Sequence, residues 1–200
     1  MDSALDNGKV EQALRKDGAK VAEIGCGHGV STILMTKAYP NSKFYGFDNH
    51  PESIEYARNK AKEEGLDEDR ISFNIASSTN FPVPTNDGYD LIAYFDCLHD
   101  MEDPNGAASH TLKALKSKGT MMIVEPFAND KFEDNLNSLG RLFYAGSTMI
   151  CIPASLSQNG PALGSQVGEH GILQVVKSGG FKRFRRAAQT SFNIIYESKP

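Results

Sequence analysis

Apolar residues along this 200-residue chain gather into short runs at 20–24, 43–47, 70–75, 90–95 and 120–124, most of them followed by a stretch with helical spacing. Runs of that length between turn residues predict strands; the run at 70–75 is followed by a turn at Ala76-Ser77-Ser78 and not by a helix, and the alternation of the others with helices predicts a parallel sheet with crossover connections. The first connecting helix opens at Val30 to Met35. The second starts at Pro51 and Glu52, buries Ile54, Ala57 and Ala61, and stops near Gly65. A third starts at Pro104, with Ala108, Leu112 and Leu115 along one face. Residues 1–18 are polar, with a thin helical pattern at Val10, Ala13 and Leu14 that suits one packing helix. The chain closes with a helix near 169–177 and strands at 181–186 and 191–197. The join between these strands is short, so they form a hairpin, and the last strand runs antiparallel to the others.

Residues 126–168 are too long for a simple connection, and long loops inside compact domains are usually functional. Phe132, Leu136, Leu139 and Phe143 recur on a helical period there, and Met149 to Pro153 adds apolar surface before a Gly/Ser/Gln-rich stretch at 157–168. Two readings stand for this insert: a cap over a substrate crevice, or a dimer contact. The whole of 1–200 is expected to be a single domain.

Charge and cysteine content narrow the function. Twenty-one basic and 25 acidic side chains give a formal charge of −4, without the basic footprint of a nucleic-acid binder. The one basic cluster, Lys182, Arg183, Arg185 and Arg186, alternates with Phe181 and Phe184 as the solvent face of a late strand would. Cys26, Cys97 and Cys151 are far apart and odd in number, as free thiols in a reducing compartment are. With no signal-peptide core and no apolar run of spanning length, the expected location is cytoplasmic, away from membranes.

The candidate chemistry begins at residues 20–29, Lys-Val-Ala-Glu-Ile-Gly-Cys-Gly-His-Gly. Glycines at alternate positions between a strand and a helix allow tight turning and close ligand approach beside free helix N–H groups. A dinucleotide fingerprint needs G-x-G-x-x-G, and here Val30 stands where its third glycine belongs, which disfavours NAD. Asp48 follows about twenty residues on, where a carboxylate can accept from both hydroxyls of a ribose; as a charge beside the next helix N-terminus it has a second reading. The fourth strand ends in Asp96-Cys97-Leu98-His99-Asp100-Met101, and the fifth delivers Glu125 to the same carboxyl edge, where open α/β sheets bind ligands. No His, Cys or carboxylate spacing marks a metal site.

With Glu23, the turn reads E-x-G-x-G-x-G and resembles motif I of the class I methyltransferases that use S-adenosylmethionine (SAM). The resemblance runs from Lys20 to Pro200. Asp96–Met101, Val124–Phe127, residues 135–137 and residues 153–157 look most like a group of winged-helix-containing two-domain methyltransferases of poorly defined substrate. No domain of that size fits before Lys20, so the chain reads as a stand-alone catalytic domain or a fragment. The resemblance implies a Rossmann-like three-layer α/β sandwich, whose seven-stranded, mostly parallel sheet ends in an antiparallel C-terminal hairpin strand. It further implies SAM as cofactor, with S-adenosylhomocysteine as product. Glu23 and the backbone of the turn Gly25, Cys26, Gly27 and Gly29 would hold its methionine end and Asp48 its ribose, with Asn49 also among the cofactor-binding residues. Ser77 and Ser78 would lie near adenine, and Asp96 would line the methionine side. Phe81 has two readings, a ring against the base or ordinary packing. His28 is expected to pack beside the cofactor, and His50, His110 and His170 to lie at the surface.

The reaction expected is methyl transfer to a small organic acceptor at oxygen. The His99-Asp100 pair resembles the His-Asp-Trp signature of small-molecule O-methyltransferases, in which the histidine is the base, although Met101 replaces the Trp. Glu125 is expected to orient His99 or bind substrate. His99 as a helix cap or backbone ligand is the competing reading. A non-catalytic SAM-binding regulatory module and, further off, an NAD-dependent oxidoreductase remain as alternatives.

Overall fold

The computed structural model describes residues 4–16, 18–85 and 88–200. Its strands β1 (Lys20–Ile24), β2 (Lys43–Asp48), β3 (Ile71–Ile75), β4 (Tyr89–Phe95), β5 (Leu115–Pro126), β6 (Arg183–Gln189) and β7 (Asn193–Lys199) form one sheet in the order β3-β2-β1-β4-β5-β7-β6. The first five pair in parallel, whereas β7 pairs antiparallel with both β5 and β6. The expected seven-stranded sheet with its antiparallel terminal hairpin strand is therefore present.

Alternate residues of each central strand feed two cores. Ala22, Ile24, Ile92, Tyr94, Met121 and Ile123 meet helices α4 (Pro104–Ala114) and α7 (Gly168–Ser178) through Ala107, Ala108, Ile172 and Val176. Val21, Leu91, Ala93, Met122 and Val124 meet α1 (Lys9–Arg15), α2 (Val30–Ala38) and α3 (Pro51–Glu63) through Leu14, Ile33, Ile54 and Ala57. Three layers result because each strand is apolar on both faces, the mark of a parallel sheet covered by helices. Full burial of one such side chain, as at Ile54, contributes about 1.5–3 kcal/mol.

Element ends move where local chemistry outweighs periodicity. Helix α4 stops at Ala114, and Leu115 opens β5, pairing with Tyr89 across an irregularity before the regular register from Leu91 and Thr120. The hairpin strands begin two residues later than their apolar pattern suggests. The basic cluster sits on edge strand β6, where Arg185 pairs with Glu197 at 2.8 Å and Arg186 with Glu169 at 2.6 Å. Charges there also discourage pairing with another edge.

In the insert, Asn137 caps helix α5 (Ser138–Gly146) by accepting from Gly140 N–H at 2.9 Å. The helix runs on through a π-turn (Ser147–Cys151) into α6 (Ile152–Ser157). Phe132 and Leu136 lie outside it and are exposed, because residues 132–135 form a separate 3-10 turn. Among the described residues no helix is long and apolar enough to cross a membrane.

Candidate active site

Strand order reverses between β1 and β4, and the turns leaving β1, β2, β3 and β4 at their carboxyl ends surround a cleft of about 230 Å³. Ile24 and Gly25 form its base, Asp48 and Asn49 one side, Ala76 to Ser78 another, and Cys97 with Asp100 to Glu102 a third. Gln158 of the insert closes it, 3.2 Å from Asn49 Nδ2. Open α/β sheets form ligand crevices at this kind of switch point.

The glycine turn contributes shape more than donors. Gly25 and Cys26 N–H donate to Phe47 O (2.8 and 3.1 Å), Gly27 N–H to Asp48 Oδ2 (2.8 Å) and Gly29 N–H to Cys26 O (2.8 Å). Gly25 has φ +70°, and a Cβ there would lie 2.9 Å from Cys97 Sγ, inside the cleft wall. At Gly29 a Cβ would meet Phe73 at 2.6 Å, so that glycine serves the approach of α2 to the sheet. Nothing lies within 4 Å of a Cβ built on Gly27, which leaves bare backbone open to a ligand.

Asp48 holds the turn together from β2. Its Oδ2 accepts from Gly27, and its Oδ1 from His50 N–H at 2.9 Å. Each oxygen keeps a lone pair for a further donor. Ser77 Oγ lies 2.9 Å from Thr79 Oγ1, and Ser78 stands beside it on the cleft.

The side chains of Glu23 and Asp96 lie outside the cleft lining, and Cys26 offers the turn its backbone. Glu23 is buried beneath the turn, with Ser31 Oγ donating to Oε1 and Thr32 Oγ1 to Oε2 at 2.6 Å, so it braces the start of α2 without lining the cleft. Burial pushes its carboxyl up to about 7, against the two hydroxyl bonds that favour the ionised form and with the charge of Asp48 adding to the rise. The Cys26 side chain lies in the core on the α3 side, leaving only its backbone to the turn. Asp96, at φ +49°, accepts from Asn193 Nδ2 at 3.0 Å and faces β7, outside the cleft lining; burial, then the nearby Glu125 charge, raises it to about 6. Phe81 is packed in the core, stacked on Phe47 with ring centres 5.5 Å apart. The His28 ring lies tilted against Tyr56, centres 4.4 Å apart, and His110 is half-buried, its Nε2 2.8 Å from Phe81 O.

His99 and Glu125 do meet. His99 sits on a 3-10 turn (Leu98–Asp100) after β4, Glu125 lies near the end of neighbouring β5, and Nδ1 is hydrogen-bonded to Glu125 Oε2, both side chains being about 3% exposed. Burial works against an imidazolium here. The charge and hydrogen bond of Glu125 outweigh it, aided by Cys151 and Asp100, and raise His99 to about 10. Glu125 Oε1 is buried with no hydrogen-bond partner among the described residues. His99 Nε2 faces Cys151 Sγ at 3.3 Å.

Sequence spacing gave no sign of Cys151 or Gln158. Their separations are 52 residues from His99 and 109 from Asn49, and only the fold of the insert brings these pairs together.

A family profile described as a methyltransferase domain matches residues 15–173. An uncharacterized methyltransferase of Bacillus subtilis, YcgJ, is 30% identical over 125 residues, covering 60% of this chain and 47% of its own. The crystal structure of the B. subtilis YcgJ protein superposes with a TM-score of 0.68 at 15% identity, over 96% of each chain. Human N-acetylserotonin methyltransferase in complex with SAM superposes with a TM-score of 0.67 at 20% identity, over 98% of this chain and 49% of its own. The chain spans about half the length or less of the curated relatives it matches. With the profile covering most of the sequence and the sheet in this order, the chain belongs to the methyltransferase-domain family and carries the class I fold of its SAM-dependent members.

Proposed function

We propose that this chain transfers a methyl group from SAM to a small organic acceptor, at oxygen. The observation that carries the reading is the adjacency of the cleft at the strand switch point to the buried His99–Glu125 pair. What supports the cofactor is the lining of the cleft: Gly25 of the turn would meet its methionine part, the acceptor lone pairs of Asp48 its ribose, and the hydroxyls of Ser77 and Ser78 would lie near its adenine. Asp48 and Asn49 would take the ribose hydroxyls, and Glu23 would act indirectly by holding the helix start under the turn. When bound, SAM supplies a methyl group on a sulfonium, which is activated enough to need little covalent help.

The chain's own work is then positioning, exclusion of water and movement of one proton. His99 Nε2 is the proton acceptor for an acceptor hydroxyl, while Glu125 holds Nδ1–H and stabilises the imidazolium that forms. The working form is the neutral imidazole, which pairing with Glu125 makes the minor species at neutral pH. Residues 126–168, resting on the His99 turn, would cap the acceptor side within a single domain.

The test is a screen of hydroxylated acceptors for S-adenosylhomocysteine formation, repeated with His99→Ala. Turnover lost with SAM binding retained supports the base. Binding of SAM without product from any acceptor class would favour a regulatory SAM-binding module.

A further inference from the structure

The insert brings a sulfur donor to the histidine of the buried pair. A ring nitrogen of His99, a carboxylate oxygen of Asp100 and Cys151 Sγ lie within 4.8 Å of one another. Nε2 and Sγ are 3.3 Å apart, close to the separation of two donors on one tetrahedral ion with bonds of about 2.0–2.1 Å to nitrogen and 2.3 Å to sulfur. We propose that His99, Asp100 and Cys151 bind a borderline-soft divalent cation of the zinc type, which takes the Nε2 lone pair and thereby blocks the proton acceptor. The ion site stands without the methyl-transfer reading; only its inhibitory consequence rests on it.

The donor set selects the ion. Imidazole, thiolate and carboxylate together suit zinc and disfavour magnesium and calcium, which take oxygen ligands. Three protein donors leave a fourth position for water, and of the three Asp100 also lines the cleft. Glu125 on Nδ1 is the second carboxylate that orients a metal-binding imidazole from behind. Among the described residues no Lys or Arg lines the cleft to compete for the carboxylate.

Cys151 is held in place by the fold. It closes the π-turn of the insert, and the segments that follow are pinned to the His99 turn. Gly164 N–H donates to His99 O at 3.1 Å, Ser155 Oγ to Met101 O at 3.1 Å, and Gly160 N–H to Ser155 O at 2.8 Å. The other thiols are committed elsewhere, Cys26 in the core and Cys97 donating to Ile24 O at 3.2 Å.

Zinc titrated calorimetrically into the reduced full chain at about pH 8, where proton release favours metal binding, is expected to bind at one ion per chain. Cys151→Ser should weaken it more than about tenfold and Glu125→Gln by about 10–100-fold, with thermal melts confirming that both variants fold. Cobalt in place of zinc should give a thiolate-to-metal charge-transfer absorption that Cys151→Ser lacks. Absence of binding, equal affinity in Cys151→Ser, or a cobalt band that survives that change would overturn the site. Zinc bound at Cys151 with methyl transfer undiminished would overturn the inhibitory consequence alone. Zinc binding in a chain that methylates no acceptor would leave the ion site standing and defeat the functional reading.

Discussion

Replacing Asp48 by Asn separates the cofactor role of this carboxylate from its structural one. Asp48 accepts two backbone N–H groups, from Gly27 at 2.8 Å and His50 at 2.9 Å. Asn keeps the shape but turns one acceptor into a donor, so one of those amides faces another donor. Hydrogen bonds to a charged group contribute about 1.5–3 kcal/mol each, which sets the expected loss of stability. For a chain of this size each kcal/mol lowers Tm by about 2–4 °C. On the cofactor side, losing one charged bond to a ribose hydroxyl weakens binding by about 10- to 150-fold. Calorimetry with SAM and S-adenosylhomocysteine reads the affinity, and thermal melting reads the fold. Asp90→Asn is the matched control. Asp90 also accepts a backbone amide, from Lys20 at 2.8 Å, and meets Lys116 Nζ at 2.9 Å, with no part in the cleft lining. Comparable destabilisation in both variants with affinity lost only in Asp48→Asn is the expected pattern. SAM affinity within twofold of the parent in Asp48→Asn, or an equal loss in the control, would refute the ribose assignment.

Three further outcomes follow from packing and charge. Glu23 is raised from 4.5 to about 7, so the folded chain holds its proton more tightly than the unfolded one. That contribution is complete below pH 4.5 and is lost as pH rises through about 7, up to about 3 kcal/mol. Denaturant unfolding at about pH 5 and pH 8 should therefore show a smaller pH difference in Glu23→Gln than in the parent, and an unchanged difference would contradict the buried placement. Gly29→Ala sets a Cβ 2.6 Å from Phe73 at φ +75° and should cost about 1–3 kcal/mol, read by melting; an unaltered Tm would show that α2 can move away. Glu125→Leu leaves buried His99 without its partner and should cost about 3–5 kcal/mol, with part of the loss recovered in His99→Leu/Glu125→Leu; simple addition of the two single costs would deny the coupling.

The sheet was legible because its signals are local. Short apolar runs, glycine turns and the hairpin join specify strands and their direction, and two-sided burial follows from strands apolar on both faces. The turn chemistry at Gly25 to Gly29 and the carboxylate at Asp48 also show through, since neighbouring residues build them. Glu23 and Asp96 show the limit. Their spacing is right, but side-chain direction is set by the alternating pleat and by partners such as Ser31, Thr32 and Asn193, which no local pattern reveals. His99 and Glu125 could be placed at one edge from strand order, whereas Cys151 and Gln158 depend on how the long insert folds back. Phe132 and Leu136 fit a helical period yet lie outside the helix, because the cap at Asn137 decides where it starts.

The most direct measurement is S-adenosylhomocysteine production by the purified chain with SAM and hydroxylated acceptors, run beside His99→Ala with calorimetric SAM binding on both proteins. Product from the parent, its loss by more than about a hundredfold in the variant and equal SAM affinity in the two are expected, as removal of a general base commonly costs about 10²–10⁴ in rate. Equal product formation by the two proteins would contradict the role of His99, and tight SAM binding without product from any acceptor would contradict methyl transfer itself.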